Sequence, residues 1–134
     1  GWLNETSLVF QLRANGQTTL ITGDCEMDAI DMVSRLWKTE LKADIYQINH
    51  HGYSKIEQDF IDLVHPSIAL WPTSRATADK RSQSNWRDGV YERLLKRVDE
   101  CIVADGRAKI LTLPYAKDGT AEYYTMDFTK RNQT

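Results

Sequence analysis

The first apolar positions of the chain alternate with polar ones, which is the pattern of a half-buried β-strand. Leu8, Phe10 and Leu12 share this alternation, and a second apolar run follows at residues 18–21. An Asn-Gly dipeptide at residues 15–16 lies between the two runs, and it favours the tight turn of a β-hairpin. The chain is therefore predicted to open on two antiparallel strands.

Helical and strand patterns alternate in the middle of the chain. Apolar residues at helical spacing predict a helix over residues 27–41, and the apolar run at 43–49 predicts a strand. A second helix is predicted over residues 56–64. His65 lies directly before a proline, and this position disfavours the α-conformation, so the second helix should end there.

The second half of the chain continues the same alternation. A buried strand is predicted at residues 67–71, and the polar stretch 73–84 has no apolar period and is predicted to be a loop. Helical spacing returns at residues 85–98, with Ser84 or Asn85 as the expected N-cap. The last apolar runs predict three closing strands, at residues 100–103, 109–113 and 121–128.

This order of elements predicts an α/β fold, a mixed sheet covered by helices on at least one face. The 134 residues are enough for one domain with a sizeable core. The opening hairpin has no preceding helix to cover it, so its face is expected to need a partner. Residues 1–134 are therefore predicted to be a single partial domain, half of something larger.

Composition narrows the function classes only slightly. Hydrophobic residues make up 41% of the chain, no run is apolar enough for a membrane segment, and the net charge is -2. A charge so close to zero gives no general attraction to nucleic acid or anionic lipid, so a polyanionic substrate would need a local basic patch. Cys25 and Cys101 lie far apart without a metal-ligand spacing, and Cys25 is interpreted as a small buried hydrophobe.

The most informative residues stand where two predicted strands end. Asp24 follows the apolar run at residues 19–23, and His50 and His51 end the run that begins at residue 45. Because parallel strands joined by a helical crossover end at the same edge of a sheet, these side chains are expected to converge. A carboxylate and imidazoles that meet in this way predict a site for a divalent metal.

Three short motifs carry a family resemblance. The segments at residues 4–9, 20–24 and 48–52, with sequences NETSLV, LITGD and INHHG, resemble the carboxyl-terminal half of a metallo-β-lactamase-fold hydrolase. Within that superfamily they are similar to the hydrolase domain of DNA-uptake competence proteins and to the phosphorylcholine esterase domain of choline-binding surface proteins. The resemblance implies the second half of an αββα sandwich, in a bacterial protein of the cytoplasm or cell surface.

The resemblance also implies roles for individual residues. Asp24 would bridge two divalent metal ions, with zinc the expected metal, and His50 would be the last histidine ligand. His51 would then be a catalytic group near the metals or facing the substrate, although the order of the two histidines is left open. The remaining ligands would come from the amino-terminal half of the same hydrolase domain, because a two-metal site needs more ligands than this chain supplies.

The implied activity is hydrolysis of a phosphodiester or a phosphorylcholine ester, and nucleic acid is among the implied substrates. Two adjacent metal ions lower the pKa of a bound water and stabilise the attacking and leaving oxygens. This chain alone is expected to be inactive. It is also expected to form a homodimer if a second copy covers its open sheet.

Simpler interpretations compete with these. Asp24 is a favoured helix N-cap residue, and the two histidines would then be ordinary loop residues. Four cations in and just after the polar stretch either form a solvated surface or line the cleft, where they would hold a phosphate or, with a tryptophan nearby, stack a base. These residues are Arg75, Lys80, Arg81, Trp86 and Arg87.

Two other function classes also remain. The chain is alternatively a non-catalytic binding or assembly module with a degenerate hydrolase fold. It is alternatively an independent doubly wound domain in which Asp24 is a phosphate acceptor or a ligand-binding group. The opening hairpin argues against the second alternative, because the strands of a doubly wound sheet are mostly parallel.

Overall fold

The structure is a computed structural model that describes residues 3–125. This part of the chain is an α/β fold with a mixed five-stranded sheet, four α-helices and a separate two-stranded sheet. The strands of the main sheet are β1 (Phe10–Ala14), β2 (Gln17–Ile21), β3 (Ile45–Gln47), β4 (Ile68–Trp71) and β5 (Glu100–Val103). The helices are α1 (Met27–Trp37), α2 (Gln58–Val64), α3 (Arg75–Arg81) and α4 (Val90–Arg97). The small sheet pairs β6 (Arg107–Leu111) with β7 (Ala121–Thr125).

The strands of the main sheet lie in chain order, from β1 to β5. The predicted hairpin is confirmed, because β1 and β2 are antiparallel and the turn residues Asn15 and Gly16 have φ angles of 51° and 78°. The pairs β2 to β3, β3 to β4 and β4 to β5 are all parallel. The strands β2 to β5 therefore end at one side of the sheet, which we call the carboxyl edge.

All four helices pack on one face of the sheet. The register aligns Leu20 with Tyr46, Tyr46 with Ala69, and Ala69 with Cys101, so these side chains point to the same face. They belong to one core cluster, and its helical members come from each of α1 to α4. These helical members are Ile30, Phe60, Ile61, Val64, Ala78, Val90, Tyr91 and Leu94.

Within residues 3–125, the opposite face of the sheet is only partly covered. Ile45, Ile68 and Ile102 form a smaller cluster there with Tyr115 and with residues of the two-stranded sheet. Towards β1 the covering ends, and the large apolar side chains of this region are exposed to solvent. The exposed fractions are 75% for Leu8, 41% for Phe10 and 51% for Leu12.

The stretch at residues 73–84, predicted to be a loop, contains helix α3, so that prediction was wrong. Ser74 caps this helix, since its hydroxyl oxygen accepts a hydrogen bond of 3.2 Å from the backbone N–H of Thr77. Ala78 is the only buried residue of the helix. A helix that buries one side chain leaves no apolar period for sequence reasoning to detect.

The predicted helix at residues 85–98 is shorter in the structure, and its predicted caps were wrong. Helix α4 starts at Val90, after a 3₁₀ turn at Arg87–Gly89. Asp88 and Gly89 have φ angles of 56° and 70°, which are left-handed values that no α-helix contains. The apolar spacing at residues 85–98 therefore includes a turn, and the left-handed backbone of this turn prevents the helix from starting before Val90.

Other predicted elements are confirmed with shifted ends. The helix predicted to Leu41 changes at Lys38, whose φ is 49°, into the 3₁₀ turn Lys38–Leu41. The second helix ends at His65, as predicted, and this residue is left-handed with a φ of 46°. The last predicted strand is present as β7, while positions 126–128 lie outside the described residues. Within residues 3–125, no helix is long and apolar enough to cross a membrane.

Candidate functional site

Two turns meet at the carboxyl edge, as the parallel topology predicts. One turn follows β2 and contains Gly23 and Asp24, and the other follows β3 and contains the two histidines. The backbone N–H of His50 donates to the carbonyl of Gly23 at 2.9 Å. The side-chain carbonyl of Gln47 also accepts hydrogen bonds from Thr22 and Gly23, at 3.0 and 2.8 Å. The two turns are therefore fixed to each other.

A second, fully buried contact joins the same turns. The side chain of Asn49 has no exposed surface and donates to the carbonyl of Cys25 at 2.9 Å. The Tyr46 hydroxyl donates to the Asn49 side-chain oxygen at 2.8 Å. Sequence reasoning missed both Gln47 and Asn49, although a polar side chain inside an apolar run is a signal that it must find a partner.

The histidines do not lie on a strand. Strand β3 ends at Gln47, and His50, His51 and Gly52 have φ angles of 47°, 54° and 74°. We call these three residues the His-His-Gly turn. Left-handed backbone is unfavourable for a residue with a side chain, so the surrounding structure must stabilise this turn. The strand alternation expected to separate the two histidines therefore does not apply.

Long side chains hold the turn through its carbonyl groups. Each carbonyl from residue 51 to residue 54 accepts a hydrogen bond from a side chain of β4, α3, α4 or the segment before α4. Such bonds fix the backbone that carries the histidines, which preorganises their side chains. The donors are Trp71 and Arg81 to His51, Trp86 to Gly52, Arg87 to Tyr53, and Tyr91 to Ser54.

The structure brings Asp24 and His51 together. The Nε2 atom of His51 lies 3.3 Å from the Oδ1 atom of Asp24, and both side chains are about half exposed, at 49% and 46%. The other ring nitrogen of His51, Nδ1, lies 2.6 Å from the carbonyl oxygen of Pro72. A carbonyl oxygen only accepts hydrogen bonds, so Nδ1 must carry a hydrogen.

This assignment leaves an electrostatic conflict between the two residues. With its hydrogen on Nδ1, a neutral His51 presents a lone pair on Nε2 to the carboxylate oxygen of Asp24, which also has only lone pairs to offer. The contact becomes favourable when a second proton charges the imidazole, or when both atoms bind one cation. A backbone carbonyl that fixes the far ring nitrogen is also the usual arrangement of a metal-binding histidine.

His50 faces a different set of neighbours. Its Nδ1 atom lies 2.7 Å from the Ser54 hydroxyl and 3.6 Å from a Glu26 carboxylate oxygen. Its Nε2 atom lies 3.4 Å from the amide nitrogen of Asn4, which also donates to Glu26 at 3.0 Å. Both ring nitrogens of His50 therefore have neighbours within the chain. His50 as the metal ligand stays a prediction, and His51 is the histidine that the structure places beside Asp24.

Asp24 is not a helix cap. Helix α1 begins at Met27, with Glu26 in the N-cap position, and the helix N–H of Ala29 donates to the Glu5 carboxylate at 2.8 Å. The simpler interpretation of Asp24 was therefore wrong. Cys25, the next residue, is 1% exposed and burial raises the pKa of its thiol, which agrees with its interpretation as a small buried residue.

An open groove of about 440 Å³ lies beside the Asp24 and His51 pair. Its wall includes Arg81, while Lys80, the next residue, is exposed and does not line it. Arg81 and Arg87 both lie over the rings of Tyr53 and Trp86, with guanidinium carbons 4.8–5.7 Å from the ring centres. The lining residues are His50, His51, Tyr53, Thr73, Thr77 and Arg81.

Asp24 and His51 have the spacing of two ligands of one metal ion. Two ligand atoms bound to zinc at about 2.0–2.1 Å in tetrahedral geometry lie about 3.3 Å apart, and the observed separation is 3.3 Å. Within residues 3–125, no group of three or more metal-ligating side chains is present. The pair therefore fits as part of a metal site, and a catalytic zinc would need a further protein ligand.

No protein-family model matches the chain, and no curated protein matches it significantly in sequence. The resemblance to metallo-β-lactamase-fold hydrolases therefore stays a prediction that depends on three short motifs.

Proposed function

We propose that this chain forms part of a metal-dependent hydrolase in which Asp24 and His51 bind a divalent metal at the carboxyl edge. The observation that carries the proposal is the contact between a carboxylate oxygen and an imidazole nitrogen that cannot donate in the neutral ring. A shared cation turns this repulsive contact into a favourable one. The half-exposed position of both side chains leaves them accessible to a substrate.

The proposed reaction is hydrolysis of a phosphodiester or a phosphorylcholine ester at a two-metal site. When bound, the metal ions would lower the pKa of a water and neutralise charge on the phosphoryl oxygens. Asp24 would hold the metals through its carboxylate. Pro72 would fix the tautomer of His51 through its carbonyl, so that Nε2 faces the site. The His-His-Gly turn would keep this nitrogen in place without reorganisation.

The remaining ligands are proposed to come from the amino-terminal half of the same domain. Two ligands from this chain are fewer than the three that a catalytic zinc usually takes. The uncovered sheet face gives independent support, because Leu8, Phe10 and Leu12 expose between 41% and 75% of their surface in one row. Exposed apolar rows of this kind are typical of surfaces that pack against another element. A second sheet on this face would complete an αββα sandwich.

The test is a hydrolysis assay on a protein that joins this chain to the proposed amino-terminal half, which we call the full-length protein. Bis(p-nitrophenyl) phosphate and p-nitrophenyl phosphorylcholine are supplied with zinc or manganese, and p-nitrophenolate release is followed. We expect turnover that depends on added metal, and we expect Asp24→Asn to abolish it while the protein stays folded. An Asp24→Asn protein that retains full turnover would overturn the assignment. Asp118→Asn, in an exposed turn, is the matched control because asparagine also tolerates left-handed backbone.

A further inference from the structure

Arg81 is held against the His-His-Gly turn by one of its nitrogens only. Its Nη1 atom donates to the carbonyl of His51 at 2.7 Å. Its guanidinium carbon lies 5.5 Å from the ring centre of Tyr53 and 5.7 Å from that of Trp86. An arginine has five N–H donors, so most of its donors are left for another acceptor, and the side chain lines the groove.

The positive charge at this point has no acidic partner among the described residues. Arg81 and Arg87 lie against the same two aromatic rings, and neither takes part in an ion pair within residues 3–125. Four other cations of the described residues do have such partners. Lys55 pairs with Asp88, and Arg97 pairs with Asp62. Two like charges that lie against the same rings attract an anion, and an anion bound in the groove would offset the charge of Arg81.

A neutral donor, the hydroxyl of Thr77, lies in the groove beside Arg81. Thr77 lies one helical turn before Arg81 and lines the same groove. Its hydroxyl oxygen accepts a hydrogen bond of 2.9 Å from Ser74, so its own hydrogen can be donated elsewhere. A forked guanidinium together with a hydroxyl matches the oxygens of a phosphate group.

We propose that Arg81, with Thr77, forms a phosphate-binding subsite in the groove beside Asp24 and His51. The ligand class is the phosphoryl group of a phosphoester, or the inorganic phosphate that such a group resembles. As a part of the hydrolase, this proposal rests on the proposed function, and it makes Arg81 the residue that orients the substrate phosphoryl group towards His51. Asp24 opposes anion binding through its own charge, so metal binding would strengthen the subsite.

The experiment measures phosphate binding without metal, so that it does not depend on hydrolysis. Inorganic phosphate, and separately bis(p-nitrophenyl) phosphate, is titrated into the full-length protein in EDTA while amide and arginine side-chain NMR signals are recorded. Arg81→Gln removes the charge but keeps an N–H donor for the His51 carbonyl, which Trp71 also bonds at 2.9 Å. We expect its Kd for both ligands to rise at least about tenfold, the effect of losing a charged hydrogen bond.

Lys80→Gln is the matched control, because it makes the same change at the neighbouring, exposed cation. We expect its Kd to stay within about twofold of wild type, since a surface charge acts weakly through screening solvent. Asp24→Asn should bind phosphate at least as tightly as wild type, although it should lose hydrolysis. Equal losses for Arg81→Gln and Lys80→Gln would overturn the subsite, because they would show a general charge effect.

The two ligands also separate the sources of the phosphate group. Binding of both supports a subsite for the phosphoryl group of substrates. Binding of inorganic phosphate alone would overturn the substrate-orienting role and leave a free-anion site.

If circular dichroism shows that the Arg81→Gln protein is unfolded, the NMR shifts of the wild-type protein on phosphate addition test the subsite instead. Shifts centred on Thr77 and Arg81 support the subsite, and shifts confined to other residues contradict it. If phosphate binds through Arg81 but no hydrolysis occurs, the proposed function and the substrate-orienting role fail, while the phosphate subsite stands.

Discussion

The Nε2 atom of His51 faces the Oδ1 atom of Asp24 at 3.3 Å, while the Nδ1 hydrogen of the same ring is donated to the carbonyl of Pro72. The two residues come from the ends of neighbouring parallel strands. When the His51 ring is neutral and Asp24 is ionised, both atoms of the contact can only accept hydrogen bonds. This relationship favours His51 over His50 as the metal-binding partner of Asp24, and it can be tested directly.

Replacing each histidine by alanine should separate a ligand from a supporting residue. We expect His51→Ala to weaken metal binding by more than about 100-fold, because loss of a residue that only supports a ligand costs about 10- to 100-fold. The free energy of unfolding should change by less than about 0.5 kcal/mol, because the ring is half exposed. His50→Ala should instead lower the free energy of unfolding by about 1–2 kcal/mol, because Ser54 and Asn4 lose a partner.

The two measurements are zinc titration with a competing chelator and urea unfolding, both on the full-length protein. Loss of metal affinity in His50→Ala alone would restore the original expectation from sequence and make His51 the supporting residue.

The positions of Asp24 and the histidines could be predicted from sequence because parallel strands end at one edge. The sequence does not predict which of the two histidines contacts Asp24. That choice depends on the left-handed backbone of His50 and His51, and on side-chain donors such as Arg81 and Trp86 that contact the turn from distant parts of the chain. No local pattern of apolar residues encodes such contacts.

The absence of a local apolar pattern also explains why the region of α3 was predicted to be a loop. Sequence reasoning treated its cations as one group, either solvated or lining a cleft. The structure separates them, because Arg81 lines the groove and Lys80 does not. Adjacent helical positions point in directions about 100° apart, so a helix assigned as a loop hides this distinction.

Gly52 should be indispensable for the His-His-Gly turn. A Cβ atom at this position would lie 2.7 Å from the Cζ2 atom of Trp71, and the φ of Gly52 is +74°. We expect Gly52→Ala to lower the free energy of unfolding by about 2–4 kcal/mol, from backbone strain together with overpacking against a buried ring. Urea unfolding followed by tryptophan fluorescence measures the change.

Gly106 provides the matched control for Gly52. It has the same φ of +74°, and a Cβ atom there would meet nothing within 4 Å. Gly106→Ala should therefore cost only the backbone term, about 1 kcal/mol. Equal costs for the two substitutions would mean that the contact with Trp71 does not restrict residue 52.

The cysteines should be unreactive while the protein is folded. Burial raises the pKa of the Cys101 thiol to about 11, and burial also raises the pKa of Cys25. The thiolate is the reactive form, so at pH 8 Cys101 of the folded protein should react with a disulfide reagent about 100-fold more slowly than in the unfolded chain, and Cys25 should also react more slowly. Absorbance of the released thiol in the presence and absence of urea gives both rates.

The raised thiol pKa also predicts how stability depends on pH. The folded protein favours the neutral thiol of Cys101, so this contribution to stability is complete below the pKa of the unfolded thiol. It is lost as the pH rises from about 9 through about 11. Cys101→Ala should flatten this part of the pH profile. A folded protein whose two thiols react as fast as the unfolded chain would contradict the buried position of Cys25 and the half-buried position of Cys101.

The open sheet face predicts different association states for the short and full-length proteins. The 134-residue chain should form a dimer in gel filtration, because Leu8, Phe10 and Leu12 leave an apolar row for a second copy to cover. Leu12→Lys should shift this dimer to a monomer. If the short chain elutes as a monomer at high concentration, the homodimer prediction is wrong.

The metal content of the full-length protein decides whether Asp24 and His51 belong to a metal site. Zinc and manganese are measured by elemental analysis in wild type, in Asp24→Asn and in the 134-residue chain. We expect about two metal ions per full-length chain, with marked losses in both other proteins. A full-length protein that binds neither metal, even after incubation with excess zinc or manganese, would contradict it. Asp24 and His51 would then be a charged pair in a binding or assembly module.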